Sequence, residues 1–508
     1  MLHRGAYPQS IPSLTRGTCG SRGRVAPRLI GAALAFVVGM PAAFAADPVP
    51  AGTPLPDLGS TPSPAKLKLS WETGAGKSYL IPALDIAGFD LLLNLHNRRF
   101  IDREVYGTNF STFKDNLRAK WVVDTDPFNI NQFLHPYQGS MYHGFSRSAG
   151  LNYWESAAYT FAGSALWETA GETTKPSKND QVASGIAGSF LGEPLFRMAN
   201  LVLEKSNMPR FWRELAAAGL SPSTGFNRLA FGDRFDTVFP SRDPAYFLRL
   251  QVGASLTAIT SQGPSTSLIR NEAVGDFYMD YGLPGKPDYS YRRPFDYFNF
   301  QFTASSANTF ENIMSRGLLF GTEYGTGSAP YRGVWGLYGT YDYIAPQIFR
   351  VSNTALSLGT TNQVWMSDSV ALQTTALAGL GYGAAGTIHG VGERDYHYGM
   401  TPQVVLATRL LFSDKAAVDF TVRDYYVSRV ASTEDRGWEN IARAEAGVTW
   451  RVHNRHAVAL KYVYSRRQAW YPDLGDRFQS RGTVMLYYTF LGDTRFGAVD
   501  WRGGIPER

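Results

Sequence analysis

The sequence predicts an α+β protein, in which a helical domain precedes an antiparallel transmembrane β-barrel of about twelve strands. Two observations lead to this prediction. Apolar residues recur at helical spacing from about residue 82 to residue 215, and after about residue 240 they alternate with polar residues at a period of two. A third observation, an apolar run near the N-terminus, indicates export from the cytoplasm.

The first 45 residues have the features of a cleavable signal peptide. Five arginines without an acidic residue precede the apolar run LIGAALAFVVGM, and the small residues Ala43 and Ala45 follow it. This order predicts cleavage after Ala45 and a final location in the outer membrane of a Gram-negative bacterium. Residues 46–66 are rich in Pro, Gly and Ser and predict a flexible leader.

Charge and cysteine content exclude several classes of function. The arginines of the signal segment account for most of the excess of 49 basic over 43 acidic residues, so the remaining chain offers no electrostatic case for nucleic-acid binding. The single cysteine, Cys19, lies in the same segment, which leaves no disulfide and no thiol nucleophile after cleavage. GAGKS at 74–78 has Trp71 where a phosphate-binding loop needs its first glycine, so no nucleotide is expected.

Three segments within 67–235 have helical patterns. PALDIAGFDLLLNLHNRRF begins with Pro82 in the first turn and ends on basic residues. SAGLNYWESAAYTFAGSALWETA predicts a second helix, and KPSKNDQVASGIAGSFLGEPLFRMANLVLE predicts a third that breaks near Gly192 and Pro194. None is an uninterrupted apolar run of about twenty residues. We therefore predict a helical plug or periplasmic cap over 67–235.

Residues 240–492 are predicted to form the barrel. In AYFLRLQVGASLTAI, for example, Leu250, Val252 and Leu256 alternate with polar or small residues. The segments are about 10 to 13 residues long and carry aromatic residues at their ends, as an interfacial girdle requires. A bilayer excludes open sheet edges, because these leave backbone groups unpaired in hydrocarbon. Residues 493–508 then form a C-terminal tail beyond the last strand.

Five sequence strings between about residues 115 and 205 stand out: HPYQGSMYHGFSRSAGLNYWES, GSALWE, GE, SKNDQ and GSFLGEPLFR. Together they resemble a bacterial family without assigned function, domain of unknown function 3943, which is seen in predicted outer-membrane proteins. The resemblance implies an outer-membrane location and the corresponding architecture. It implies no activity.

The same region concentrates ionisable side chains. Paired carboxylates with a histidine can divide acid and base roles or bind a divalent metal. On that ground the candidate catalytic residues are His135, His143, Glu168 and Glu172. The favoured alternative is a structural network in which buried charges pair with one another. Its further members are Arg147, Glu155, Asp180, Glu193 and Arg197.

These patterns predict an outer-membrane barrel with a structural or transport-related role. Its expected partners are outer-membrane lipids and the barrel assembly machinery, with no nucleic acid, no nucleotide and no cofactor, although the His/Glu cluster leaves room for a divalent metal. The alternative is an envelope hydrolase directed at lipids or glycans. An enzyme or metal site requires at least three of the named side chains to converge, whereas a structural network requires each to be paired.

Overall fold

In a computed structural model, the chain forms a helical domain beside a closed barrel. The structure describes residues 67–261, 268–325, 329–345, 349–389, 392–431 and 437–501. The predicted signal peptide (1–45), the predicted leader (46–66) and residues 502–508 of the tail lie outside the described residues. The prediction of an α+β fold with a twelve-stranded antiparallel barrel is confirmed.

Each strand pairs with its neighbours in the sequence, and β1 pairs with β12 to close the sheet. The strands are β1 Tyr246–Ser261, β2 Leu268–Tyr281, β3 Phe298–Ser305, β4 Asn312–Tyr324, β5 Tyr331–Ile344, β6 Val351–Ser367, β7 Val370–Ala385, β8 His397–Phe412, β9 Ala416–Val427, β10 Trp438–His453, β11 His456–Tyr471 and β12 Gly475–Leu491. We call the end where β1 begins and β12 ends the N/C rim, and the other end the opposite rim.

Seven helices of nine or more residues precede the barrel in the described part of the chain, besides the short turns Lys178–Asp180 and Gly232–Arg234. The seven helices are α1 Leu80–Phe100, α2 Phe110–Arg118, α3 His135–Ser148, α4 Tyr153–Leu166, α5 Gly188–Lys205, α6 Arg210–Leu220 and α7 Pro222–Phe231. Three π-helical segments adjoin α3, α4 and α5: Ile130–Leu134, Trp167–Gly171 and Gln181–Ala187. Among the described helices, none is both long enough and apolar enough to cross a membrane.

The second predicted helix, residues 148–170, corresponds to α4 and begins later than predicted, whereas α3, which precedes it, was not predicted. α3 ends at Ser148 and α4 begins at Tyr153. Asn152 accepts the backbone N–H of Glu155, while the Glu155 carboxylate accepts the backbone N–H of Asn152. This reciprocal capping box satisfies the free N–H groups of a new helix, so it starts α4 after a turn.

The predicted break near Gly192 and Pro194 is wrong, because α5 continues through Pro194. Proline has no backbone N–H, so it leaves the carbonyl four residues earlier, that of Phe190, without its helical donor. The hydroxyl of Ser315 in β4 donates to this carbonyl at 2.6 Å. The barrel wall therefore supplies the hydrogen bond that the helix loses.

Side chains alternate along each strand between a lumen face and an outer face. On the lumen face, Arg409 Nη1 of β8 lies 3.2 Å from Asp280 Oδ2 of β2, and Arg249 Nη1 of β1 lies 2.6 Å from Asp419 Oδ2 of β9. Strands this far apart around a closed sheet can meet only through its interior. These ion pairs cross the lumen and leave a cavity of about 70 Å³ among them.

The C-terminal tail enters the lumen at the N/C rim. The amide of Gln363 and the indole N–H of Trp365 donate to the Val499 carbonyl at 2.6 and 3.0 Å. Gln373 donates to the carbonyl of Gly497 at 2.8 Å. The segment predicted only as a tail beyond the last strand therefore closes this end of the barrel.

The helical domain packs against the outer face of the barrel, so a helical plug within the lumen is wrong. Phe190 of α5 lies against Gly339 of β5, where an added Cβ would come within 2.5 Å of the Phe190 ring. In the strand register Gly339 faces Leu356, and Leu356 faces Leu380. Both leucines are about half exposed, at 50% and 52%, which identifies their common side as the outer face.

The helical domain extends along the height of the wall, so it is not a cap confined to one end. Near the opposite rim, the backbone N–H of Phe128 donates to the Glu393 carbonyl between β7 and β8 at 2.9 Å. Toward the N/C rim, Arg197 Nη1 lies 3.1 Å from Asp296 Oδ1 between β2 and β3. Between these points the two parts of the chain share one apolar core, formed by helical residues and outward side chains of β1 to β5, β7 and β8.

A valine at Gly339 tests this packing. Gly339→Val forces a side chain into the space of the Phe190 ring, so we expect the helical domain to lose about 1 to 3 kcal/mol of stability and to become sensitive to protease. Gly275→Val is the matched control, because Gly275 lies on the same outer face and an added Cβ there meets nothing closer than 4.0 Å. Equal protease resistance of the two variants would contradict the packing.

Candidate functional site

The interior of the helical domain holds two clusters of ionisable side chains. The first, the Glu193 cluster, consists of Glu193, Arg147, Arg197 and His143, all of them buried. Glu193 accepts hydrogen bonds from Arg147 Nε at 2.7 Å, from Arg197 Nε at 2.8 Å and lies 3.0 Å from His143 Nε2. Arg197 also pairs with Asp296, so the cluster joins α3 and α5 to the barrel.

Charge pairing holds the Glu193 cluster together. The guanidinium groups of Arg147 and Arg197 both contact the Glu193 carboxylate, and the ring of His143 lies beside it. The cluster thus contains a carboxylate enclosed by two permanent cations, which is the arrangement of a structural network.

The second cluster, the His135 cluster, consists of His135, Glu168 and Asp180. One possible metal-ligating atom from each side chain lies within 4.8 Å of the other two, and all three residues are buried. His135 Nε2 lies 3.6 Å from Asp180 Oδ2. In the described part of the chain, no lysine or arginine forms an ion pair with Glu168 or Asp180.

Acidic side chains predominate in and around the His135 cluster. Asp180 and Glu172 are charged neighbours of Glu168, and Asp124 is a charged neighbour of Asp180. The two clusters are therefore electrostatic opposites, because one has an excess of cations and the other an excess of carboxylates.

Each member of the His135 cluster lies in or next to a π-helical segment. His135 directly follows Ile130–Leu134, Glu168 lies within Trp167–Gly171, and Asp180 directly precedes Gln181–Ala187. A π-helical turn inserts an extra residue into a helix and rotates the side chains that follow it. Such turns occur frequently at functional sites. Here three of them meet at one cluster.

Polar side chains link the His135 cluster to the barrel wall. The Tyr398 hydroxyl of β8 accepts hydrogen bonds from Gln132 at 2.8 Å and from Asn179 at 2.9 Å. The Tyr396 hydroxyl accepts one from Asn131 at 3.0 Å. Sequence reasoning did not identify these residues, because tyrosines at the start of a strand are also expected in an aromatic girdle.

The structure divides the predicted site residues among different surroundings. His135 and Glu168 converge with Asp180, whereas His143 lies in the Glu193 cluster. Glu172 accepts the indole N–H of Trp167 at 2.9 Å. Glu155 binds Lys77 Nζ at 2.8 Å near the surface while it caps α4. The four candidate catalytic residues do not form a single site.

The family comparison agrees with the resemblance found in the sequence. The model of the domain of unknown function family DUF3943 matches residues 120–223, which include both clusters. No curated protein matches the chain.

Outer membrane channels are among the solved structures that are similar to the chain. The outer membrane channel DcaP of Acinetobacter baumannii is 8% identical, covers 48% of this chain and 97% of its own, and gives a TM-score of 0.24. An outer membrane channel from Pseudomonas putida F1 is 10% identical, and the match covers 49% of this chain and 96% of the channel, with a TM-score of 0.28. The attachment invasion locus protein Ail of Yersinia pestis is 12% identical, and the match covers 48% of this chain and 98% of Ail, with a TM-score of 0.15. Similarities this low support no inference about function.

Removing the central charge of the Glu193 cluster should destabilise the helical domain. Glu193→Gln leaves two buried arginines without their partner, and we expect it to lower the free energy of unfolding by about 3 to 5 kcal/mol in detergent.

Glu155→Gln serves as the control in these denaturant titrations. Its partner Lys77 is partly exposed, so this variant should cost no more than about 1 kcal/mol. A Glu193→Gln protein as stable as Glu155→Gln would show that the cluster does not hold the domain together.

Proposed function

We propose that this protein is an outer-membrane barrel that anchors a helical domain within the lipid beside its wall. The observation that carries the proposal is the packing of the helical domain against the outer face of the barrel. In this view the barrel has a structural role, and the helical domain is the part that acts in the envelope. Outer-membrane lipids and the barrel assembly machinery are the proposed partners.

A membrane location follows from the surface of the barrel. Where helices do not cover the wall, large apolar side chains point outward and are exposed, although water would disfavour such a band. A closed sheet is also the strand architecture that leaves no unpaired edge in hydrocarbon. The exposed side chains of β1 and β8 to β12 include Val252, Leu256, Val404, Leu406, Val418, Phe420, Val448, Trp450, Val458, Leu460, Tyr462, Val484, Leu486 and Tyr488.

The connections at the two rims indicate the orientation. At the N/C rim, β6 and β7 are joined by residues 368–369 and β10 and β11 by residues 454–455, whereas the long connection 282–297 at this rim contacts the helical domain through Asp296. At the opposite rim, the connections 386–396 and 428–437 are much longer. Because bacterial barrels have short periplasmic turns and longer extracellular loops, we assign the N/C rim to the periplasm. The His135 cluster, which is linked to the first residues of β8, then lies toward the cell exterior.

The helical domain has the polarity of a structure solvated by lipid. On α1, Leu84 and Leu91 are 62% and 59% exposed, while Asp90 and Asn94 are buried at 6% and 8%. A helix at a water-facing surface shows the reverse distribution. Exposed Arg98 and Arg99 at the end of α1 would lie at the level of the lipid head groups.

The structure gives less support to passage or hydrolysis. Ion pairs and the C-terminal tail occupy part of the lumen, which argues against a transport role. A hydrolase built on His135, His143, Glu168 and Glu172 has no common site, because His143 belongs to a different cluster. The anchoring role is therefore the function that the geometry favours.

Spin-label accessibility of α1 in bilayers tests the proposal. A nitroxide on Leu91→Cys should collide more with oxygen than with a water-soluble nickel chelate, because oxygen concentrates in hydrocarbon. Leu460→Cys on β11 is the lipid reference, since that side chain is 55% exposed on the uncovered wall. Lys415→Cys in the turn after β8 is the water reference. A Leu91 label with the collision ratio of the Lys415 label would contradict the proposal.

A further inference from the structure

We propose that His135, Glu168 and Asp180 bind one divalent transition-metal ion. Their ligating atoms lie within 4.8 Å of one another, so a single ion can contact all three. An imidazole with two carboxylates is a mixed nitrogen and oxygen set, which suits Zn²⁺, Mn²⁺ or Fe²⁺ better than the all-oxygen preference of Mg²⁺ or Ca²⁺. This inference goes beyond the anchoring role and does not depend on it.

The partners of the three side chains resemble the outer shell of a metal site. Glu168 Oε2 accepts the backbone N–H of Ser177 at 2.7 Å, and Asp180 Oδ1 accepts the amide of Asn179 at 3.1 Å. His135 Nδ1 lies 3.4 Å from Ser184 Oγ. His135 and Asp180 thus each use one polar atom on a neighbouring residue, while His135 Nε2 and Asp180 Oδ2 face each other within the cluster. Metal ligands are typically oriented in this way.

The charge of the His135 cluster calls for a cation. In the described part of the chain, two buried carboxylates lie together with Glu172 nearby, and the basic member of the cluster is His135. The Glu193 cluster shows how the same domain neutralises a buried carboxylate when it uses arginine, with two guanidinium groups on one glutamate. No arginine or lysine plays that part for Glu168 or Asp180 in the described residues, so a bound divalent ion would supply the missing positive charge.

The three ligands come from separate parts of the chain, at the start of α3, after α4 and before α5. An ion shared by them would therefore tie these helices together near the contacts with Tyr396 and Tyr398. Binding should accordingly raise the unfolding temperature of the helical domain, because an ion that binds the folded state alone stabilises it by mass action. Thermal stability is thus a readout that needs no enzymatic activity.

The first test measures metal binding to the full chain in detergent. After chelator treatment, Zn²⁺ and Mn²⁺ are titrated separately, with bound metal and unfolding temperature as readouts. We expect one ion per chain and a higher unfolding temperature in the metal-loaded protein. Glu168→Gln and Asp180→Asn, which keep side-chain size, should weaken binding at least about tenfold. Glu155→Gln, which changes a carboxylate of the same domain outside the cluster, should bind as the wild type does.

A spectroscopic measurement on the unmutated protein covers the case in which the variants fail to fold. Pulsed EPR of bound Mn²⁺ should show coupling to an imidazole nitrogen, since His135 is the proposed nitrogen ligand. Ser184→Ala, which leaves all three ligands in place, should weaken binding by about tenfold or more. Wild-type protein that takes up neither Zn²⁺ nor Mn²⁺, or that binds Mn²⁺ without nitrogen coupling, would overturn the proposal.

Discussion

The contact between α5 and the outer face of β4 and β5 is the interaction on which the rest of the structure depends. Gly339 provides the space that Phe190 occupies, and Ser315 donates to the carbonyl that Pro194 leaves free. Neither the glycine in β5 nor the proline in α5 is explained by the strand or the helix that contains it. A glycine weakens a strand and a proline weakens a helix, yet together they allow close packing with the backbone hydrogen bonds satisfied.

This contact determines which surfaces of the barrel and of the helical domain face lipid. Strand alternation makes one face of the sheet the lumen, and the ion pairs that cross the lumen leave no space there for a helical domain. The other face is the one that meets lipid in a membrane barrel. A domain bound to that face must itself tolerate lipid, which accounts for exposed leucines on α1 and for charges enclosed inside the domain. Arg197 and Asp296 then fix its position relative to the barrel by a charge pair.

The buried clusters show two ways to place charge in such an interior. Arg147 and Arg197 enclose Glu193, so the cluster is complete with protein groups alone. The His135 cluster has carboxylates in excess, and its geometry relies on three π-helical segments that an ordinary helix would not contain. Because π-helical turns are energetically unfavourable, their convergence indicates that side-chain placement at this cluster takes precedence over regular backbone geometry.

Much of the architecture could be predicted from the sequence. A period of two with apolar residues such as Val252 and Leu256 predicts strands, and the prediction of about twelve strands is confirmed. The side of the wall on which the helices lie could not be predicted. A helical pattern shows which face of a helix is apolar, but it does not show whether that face contacts lipid or the barrel. The tail in the lumen depends on hydrogen bonds to Gln363 and Gln373, which are distant in sequence. Likewise, convergence of His135 and Glu168 with Asp180 depends on the π-helical turns.

Site-directed cross-linking tests the central claim, the position of the helical domain outside the barrel, most directly. Trp154 of α4 stacks on Phe320 of β4 on the outer face, with ring centroids 5.3 Å apart. In a Cys19→Ser background, Trp154→Cys combined with Phe320→Cys should be joined by a short bifunctional thiol reagent in native membranes. Trp154→Cys combined with Arg409→Cys, which lies in the lumen, should remain unlinked. Cross-linking to position 409 and not to position 320 would place the helices inside the barrel and contradict the account.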